Sequence, residues 1–175
     1  MQNDNWGFPE EKKESEYFNF KEGETKLRVL TRPVAVKQYF RDGQYVLVDE
    51  KYQGPEKAST KGWAWCAVRP NNEIKIVKFP FSVIKQIQAF MVDDEYAFEG
   101  FPMPYDLKVT VTGEGMERRY SVIASPKVTP VTDEEKAELE KKTPIAQIIN
   151  KMKEKAGLST GIEYPERDED EQIPF

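Results

Sequence analysis

The chain has 175 residues and a mass of 20.3 kDa, enough for one domain with a real core plus appended segments. It contains no His and a single Cys, Cys66, which excludes His-based acid–base catalysis, Ser-His-Asp and Cys-His nucleophile systems, His metal ligands, an intrachain disulfide and a Cys-rich zinc site. Its net charge of −5 and pI near 5.1 count, on average, against a nucleic-acid partner.

Residues 1–16 are polar and charged, with Trp6, Phe8 and Pro9 as their bulky apolar groups, and read as a mobile arm. They hold no apolar signal-peptide core, and no run approaches the roughly 18 apolar residues of a membrane span, so neither export nor a membrane partner is expected. Residues 25–40, TKLRVLTRPVAVKQYF, alternate Leu27 and Val29 against Lys26 and Arg28, which predicts a strand with a bulge or bend at Pro33. Asp42-Gly43 is a hairpin signal, with Gln44 to Val48 as the returning strand. Residues 49–61 have loop composition, punctuated by Gly54-Pro55. Two strands follow, 62–69 and 73–79, around a turn at 70–72. Ser82 is the predicted N-cap of a helix over 83–91, with Val83, Ile84, Ile87 and Phe90 on one side. Residues 105–112 and 118–125 read as two strands joined by a Gly-rich turn at 113–115. Thr132 and Glu135 have capping-box spacing, and Thr143-Pro144 caps and starts a second helix ended by Gly157. In that helix Ile145, Ile148, Ile149 and Met152 form a stripe that either docks on the body or serves a second copy or a partner.

The chain therefore divides into an arm (1–16), a body (17–128), a helical extension (129–157) and a linker with an acidic tail (158–175). Five or six short antiparallel strands with one helix before the last two predict a mainly β fold. A five-stranded Greek-key OB-fold is the first candidate; an SH3-like barrel or a mixed α+β sheet has the same order of elements.

The charge is partitioned along this plan. Residues 1–16 carry −3, residues 17–128 carry +3, residues 129–162 are neutral and residues 163–175 carry −5. The acidity lies at the two ends and the body is mildly basic, so the average is misleading about partners.

A catalytic site is hard to assemble from these residues. The carboxylates at 93–95 and 166–171 fall in loop or tail contexts and read as solvated charge; no metal or other cofactor is expected. The strands carry more. Alternation over 62–69 places Trp63, Trp65, Ala67 and Arg69 on one face and Ala64, Cys66 and Val68 on the other. Two indoles and a guanidinium in a row suit stacking of unpaired bases with a cation for phosphate; the competing reading is that both Trp are core. Arg28, Arg32, Lys75, Lys108 and Arg118 add cations on neighbouring strands, and Tyr39, Phe40, Tyr45 and Tyr120 add aromatic rings. At the chain end, Asp168, Glu169, Asp170 and Glu171 precede Ile173, Pro174 and Phe175. Phe175 can fill an apolar pocket on a partner while its carboxylate pairs with Lys or Arg, and Pro174 lowers the ordering cost.

With these residues the chain resembles bacterial and phage single-stranded DNA-binding proteins, whose plan is an OB-fold, a linker and an acidic tail ending in Ile/Pro/Phe-like residues. DEDEQIPF carries the tail resemblance. YFNFKEGETKLRVL, GWAWCAVRPNNEIKIVKFP and YDLKVTVTGEGMERRYSVIASP are similar to the first strand, central strands and final hairpin of the phage type. Some phage members hold a Cys/His zinc insertion; residues 49–61 contain neither type, so no zinc is expected. The resemblance implies a non-enzymatic protein of the bacterial or phage-infected cytoplasm, associated with the nucleoid, that coats single-stranded DNA in replication, recombination and repair. Its tip would recruit partner enzymes and its tail would compete with DNA. A homo-oligomer is compatible with it, although the tetramer of the cellular type is not implied. Two other readings fit the same residues: an adaptor presenting the acidic tip without binding DNA, and an RNA-binding OB-fold protein.

Overall fold

The computed structural model describes residues 16–158; most of the N-terminal arm and the acidic tail with its tip, Asp168 to Phe175, lie outside them. The described chain is mainly β. Eight strands form one mixed sheet: β1 (Tyr17–Phe18), β2 (Gly23–Val29), β3 (Val34–Arg41), β4 (Gln44–Leu47), β5 (Ser59–Val68), β6 (Glu73–Pro80), β7 (Leu107–Thr112) and β8 (Arg119–Ala124). Helix α1 (Phe81–Met91) lies between β6 and β7, and α2 (Asp133–Glu140) and α3 (Ile145–Lys155) follow β8. The sheet order is β1-β6-β5-β2-β7-β8, with β3 joined to β5 and β4. β1 runs parallel to β6, and all other pairs are antiparallel.

The single bent strand expected over 25–40 is two strands. Both halves pair with β5: Leu27 to Val29 opposite Val68 to Cys66, and Val34 to Gln38 opposite Trp63 to Ser59. Pro33 has no N–H for a ladder, so pairing lapses before it. Leu30 N–H donating to Trp65 O at 2.9 Å, and Trp65 N–H donating to the Thr31 hydroxyl at 3.0 Å, hold the break against β5. For the same reason β5 begins at Ser59, inside the segment expected to be loop: β3 provides it with a partner that the local composition does not announce.

The hairpin at Asp42-Gly43 forms as expected, both residues at positive φ (51° and 77°), with Arg41 opposite Gln44. In the β7–β8 turn Gly113 has a φ of 79°, and a Cβ there would lie 2.6 Å from Glu117 O, so the turn requires glycine. Ser82 is not the N-cap of α1. β6 runs on to Pro80, which occupies that position with extended backbone, and Ser82 falls in the first turn. Thr132 does cap α2 in a full capping box: Glu135 N–H donates to the Thr132 hydroxyl at 3.1 Å, and Thr132 N–H donates to the Glu135 carboxylate at 3.2 Å. Thr143 does not cap α3: Pro144 holds the N-cap position with no side-chain hydrogen bond, and Gly157 at φ 73° ends the helix.

Alternation along β5 divides the interior in two. Ala64, Cys66 and Val68 face one core, built with Leu27 and Val29, Val77 and Phe79, Leu107, Val109 and Val111, Val122 and Ala124, and closed by Val83 and Ile87 of α1. Trp63, Trp65 and Ala67 face a second cluster with Leu30, Val36, Ile74, Ile76, and Ile145 and Ile149 of α3. Gly62 lets α1 approach β5 closely, since a Cβ there would meet Ile84 at 2.5 Å. Gln86 of α1 also reaches the outer edge of β8, donating to Tyr120 O at 3.3 Å and accepting from Val122 N–H at 3.0 Å. No helix among the described residues is long and apolar enough to cross a membrane.

Candidate nucleic-acid interface

Trp63 and Trp65 share a strand face as alternation requires, but that face is covered. They are 1% and 2% exposed. Trp65 donates its indole N–H to Thr143 O at 2.9 Å, and the Lys142 ammonium lies 5.5 Å from its ring centroid. Tyr17 meets Trp63 edge-on at 6.1 Å, and the Lys78 ammonium lies 4.4 Å from the Trp63 ring. Neither indole offers its face to solvent.

Arg28 and Arg69 are tied into the body. Arg28 is buried, donating from Nε to Asp106 at 3.0 Å and from its terminal nitrogens to the Thr129 carbonyl (2.7 Å) and hydroxyl. Arg69 donates to both Asp106 oxygens at 3.1 and 3.2 Å, to Asn72 at 2.7 Å, and to Glu135. Burial by itself pushes the Asp106 and Glu135 carboxyls up, but their hydrogen bonds and charge pairing with Arg69 outweigh it, so both sit below the ordinary carboxylate value. These arginines hold 106, 129 and 135 to the sheet. Lys75 is half-buried opposite Cys66, and Lys108 on β7 faces Glu24 at 3.8 Å.

The remaining cations and rings lie elsewhere; of these Lys61, Lys78, Arg118, Tyr17 and Tyr120 are half-buried. At the β3–β4 hairpin Phe40 and Tyr45 meet edge-to-face at 5.0 Å and are 57% and 58% exposed. The Lys61 ammonium lies 5.8 Å from the Tyr45 centroid. On β6 the Lys78 ammonium lies 4.7 Å from the Tyr17 ring as well as against Trp63. Arg118 lies 6.0 Å from the Tyr120 ring and donates to its hydroxyl at 3.3 Å and to Phe20 O at 3.3 Å. Burial first, then the Arg118 charge, lowers the Lys61 pKa; burial first, then the Lys61 charge, lowers that of Lys78. Lys61 thus lies within charge–charge reach of both Arg118 and Lys78. Among the described residues none of them has a carboxylate within ion-pair distance. The result is a strip of alternating cations and aromatic rings from the β3–β4 hairpin across β5 and β6 to β8.

Of the residues singled out from the sequence, the strip gathers Phe40, Tyr45, Arg118 and Tyr120. Tyr39 belongs to a separate stack with Tyr52 (5.4 Å, 24° between planes). Arg32 is exposed at the mouth of a groove of about 240 Å³ between α1 and the β3–β5 pair, lined by Phe81, Ile84, Met91 and Phe101. Lys61, Lys78 and Tyr17 are members of the strip that sequence reasoning missed. Lys61 was within reach of it, because it precedes Trp63 by two residues and shares its face of β5.

The strip can neutralise phosphates and stack bases; it contains no nucleophile paired with a base. Cys66 is fully buried, and burial pushes its thiol well above the ordinary value, away from thiolate chemistry. Asp93 accepts from the Glu95 and Tyr96 amides at 2.9 and 3.1 Å and so works as a turn cap. Among the described residues no cluster of three metal-ligating side chains occurs. No protein-family model, curated protein or solved structure matches the chain.

Proposed function

We propose that this protein binds single-stranded DNA along the strip, without catalysing a reaction on it, and recruits partner enzymes of replication, recombination and repair through its acidic tip. The observation that carries the reading is the strip itself: Lys61, Lys78 and Arg118, without carboxylate partners among the described residues, interleaved with Tyr17, Tyr45, Phe40 and Tyr120. Cations track phosphates, and each stacked base contributes about 1–3 kcal/mol.

The topology supports the same reading. With β2 and β3 taken as one bent first strand, β5, β6, α1, β7 and β8 follow in the order of an OB-fold. The first strand pairs with the second and the fourth, and the helix precedes the last two strands. The β3–β4 hairpin then occupies the loop between the first and second strands, which in such folds flanks the nucleic acid. The tail DEDEQIPF supports the recruiting role by its resemblance alone.

Titration of the full chain with labelled oligo-dT tests the reading. Binding at low salt is expected, with log K falling against log salt at a slope near −2, about 0.7 for each of three cations. Lys61→Ala and Lys78→Ala should each weaken binding severalfold and flatten that slope. No binding at low salt refutes the reading, and preferential binding of oligo-U turns it towards RNA.

A further inference from the structure

We propose that α2 and α3 form a displaceable cover over a second base-stacking surface, the face of β5 carrying Trp63 and Trp65, and that a single strand bound on the strip opens it. The inference rests on the reading of the strip as a nucleic-acid interface. The division of the interior into two clusters supports it. The first core draws on no residue after Ala124, so it is complete without the cover. The second cluster draws Ile145 and Ile149, with Leu139, Ile148 and Met152 at its margin, from the cover itself.

The cover is held by side chains, not by strand pairing. Its ties are Arg69 to Glu135, Lys142 to Glu16, the Trp65 indole N–H to Thr143 O, and Lys142 over the Trp65 ring. A nucleic acid can substitute for the last two: its bases supply acceptors and π-faces, and its phosphates receive the ammonium. The two helices have 8 and 11 residues, too short to persist once undocked.

Trp63 links the strip to the covered face. Lys78 bridges the half-buried Tyr17 ring and the buried Trp63 ring, so a strand following the cations arrives at the margin of the cover. The Trp63 indole N–H is buried with no acceptor among the described residues. A buried donor without a partner is a cost of the closed state, and opening to water or to a base acceptor removes it.

Hydrogen exchange of the full chain, with and without saturating oligo-dT, tests the cover directly. Amides of 133–155 should exchange at least about tenfold faster when the oligonucleotide is bound. In a Trp6→Phe background, where Trp63 and Trp65 are the remaining tryptophans, the oligonucleotide should quench the emission. Glu135→Gln, which loosens the Arg69 tie, should bind oligo-dT severalfold more tightly, as Lys61→Ala binds it more weakly. Oligonucleotide bound by anisotropy while 133–155 exchange at the same rate or more slowly overturns the cover and leaves the strip standing. Absence of binding removes the strip, and the cover with it.

Discussion

Lys61 and Lys78 illustrate how little a residue's type says about its charge. Both are lysines half-withdrawn from water, beside rings and near other cations, and both have pKa values below the ordinary 10.5. Arg28 and Arg69 looked like better phosphate ligands, yet Asp106 and Glu135 already occupy them. The difference has a readout. A lysine of ordinary pKa is already half neutral at pH 10.5, and a lowered one reaches that point at a lower pH. Oligo-dT binding should therefore weaken on the alkaline side at a lower pH in the native protein than in Lys61→Arg. Binding measured by anisotropy between pH 7 and 10.5 checks this; a flat profile in the native protein counts against a role for these ammonium groups. Lys61 lay within reach of strand alternation, two residues before Trp63, but the loop-like composition of 49–61 hid it. The neutralisation of Arg28 and Arg69 was not legible, because their partners lie 78 and 37 residues further along the chain.

Among the elements, α1 does more than close the first core. Its Gln86 satisfies Tyr120 C=O and Val122 N–H on an edge of the sheet where a ninth strand could otherwise add. Gln86→Ala leaves both groups unmet and should cost about 1–3 kcal/mol, read as a lower urea midpoint; an unchanged midpoint would mean that water replaces the amide. The docking of α2 is pH-dependent in a defined direction. Asp106 and Glu135 lie below their ordinary 3.8 and 4.5, so their contribution is complete above those values and is lost as the pH falls through the lower values of the folded state. Urea midpoints should hold steady down to about pH 4.5 and then decline. Glu135→Gln should be less stable at neutral pH and decline less steeply in acid. The capping box, the hairpin at Asp42-Gly43 and the Gly113 turn were readable because each depends on residues at most five positions apart. The split of the first strand and the early start of β5 were not, since both follow from pairing with distant partners.

At the scale of the whole molecule, the opposition between a mildly basic body and acidic ends sets the expected balance of binding. Residues 17–128 carry +3 and residues 163–175 carry −5, so, on the proposed function, the end of the chain is expected to compete electrostatically with DNA for the strip. Deleting 166–175 should raise oligo-dT affinity at low salt and have little effect at high salt, where screening removes the competition. Equal affinities at low salt would show that the tail and the strip act independently. Substituting Phe175 alone should leave DNA affinity unchanged, because it removes no side-chain charge.

The sequence by itself determined the order of the elements, the alternation that places Trp63 and Trp65 on one face of β5, the local turns and caps, and the partition of charge. Each is a property of neighbouring residues or of simple sums. Only the tertiary structure decided that this face is covered. Burial of an indole depends on what else the chain brings to it, and here that is α3, about 80 residues away. The same holds for the cations. A guanidinium and an ammonium are equally positive in a sequence, but folding paired Arg28 and Arg69 with carboxylates and left Lys61, Lys78 and Arg118 facing aromatic rings.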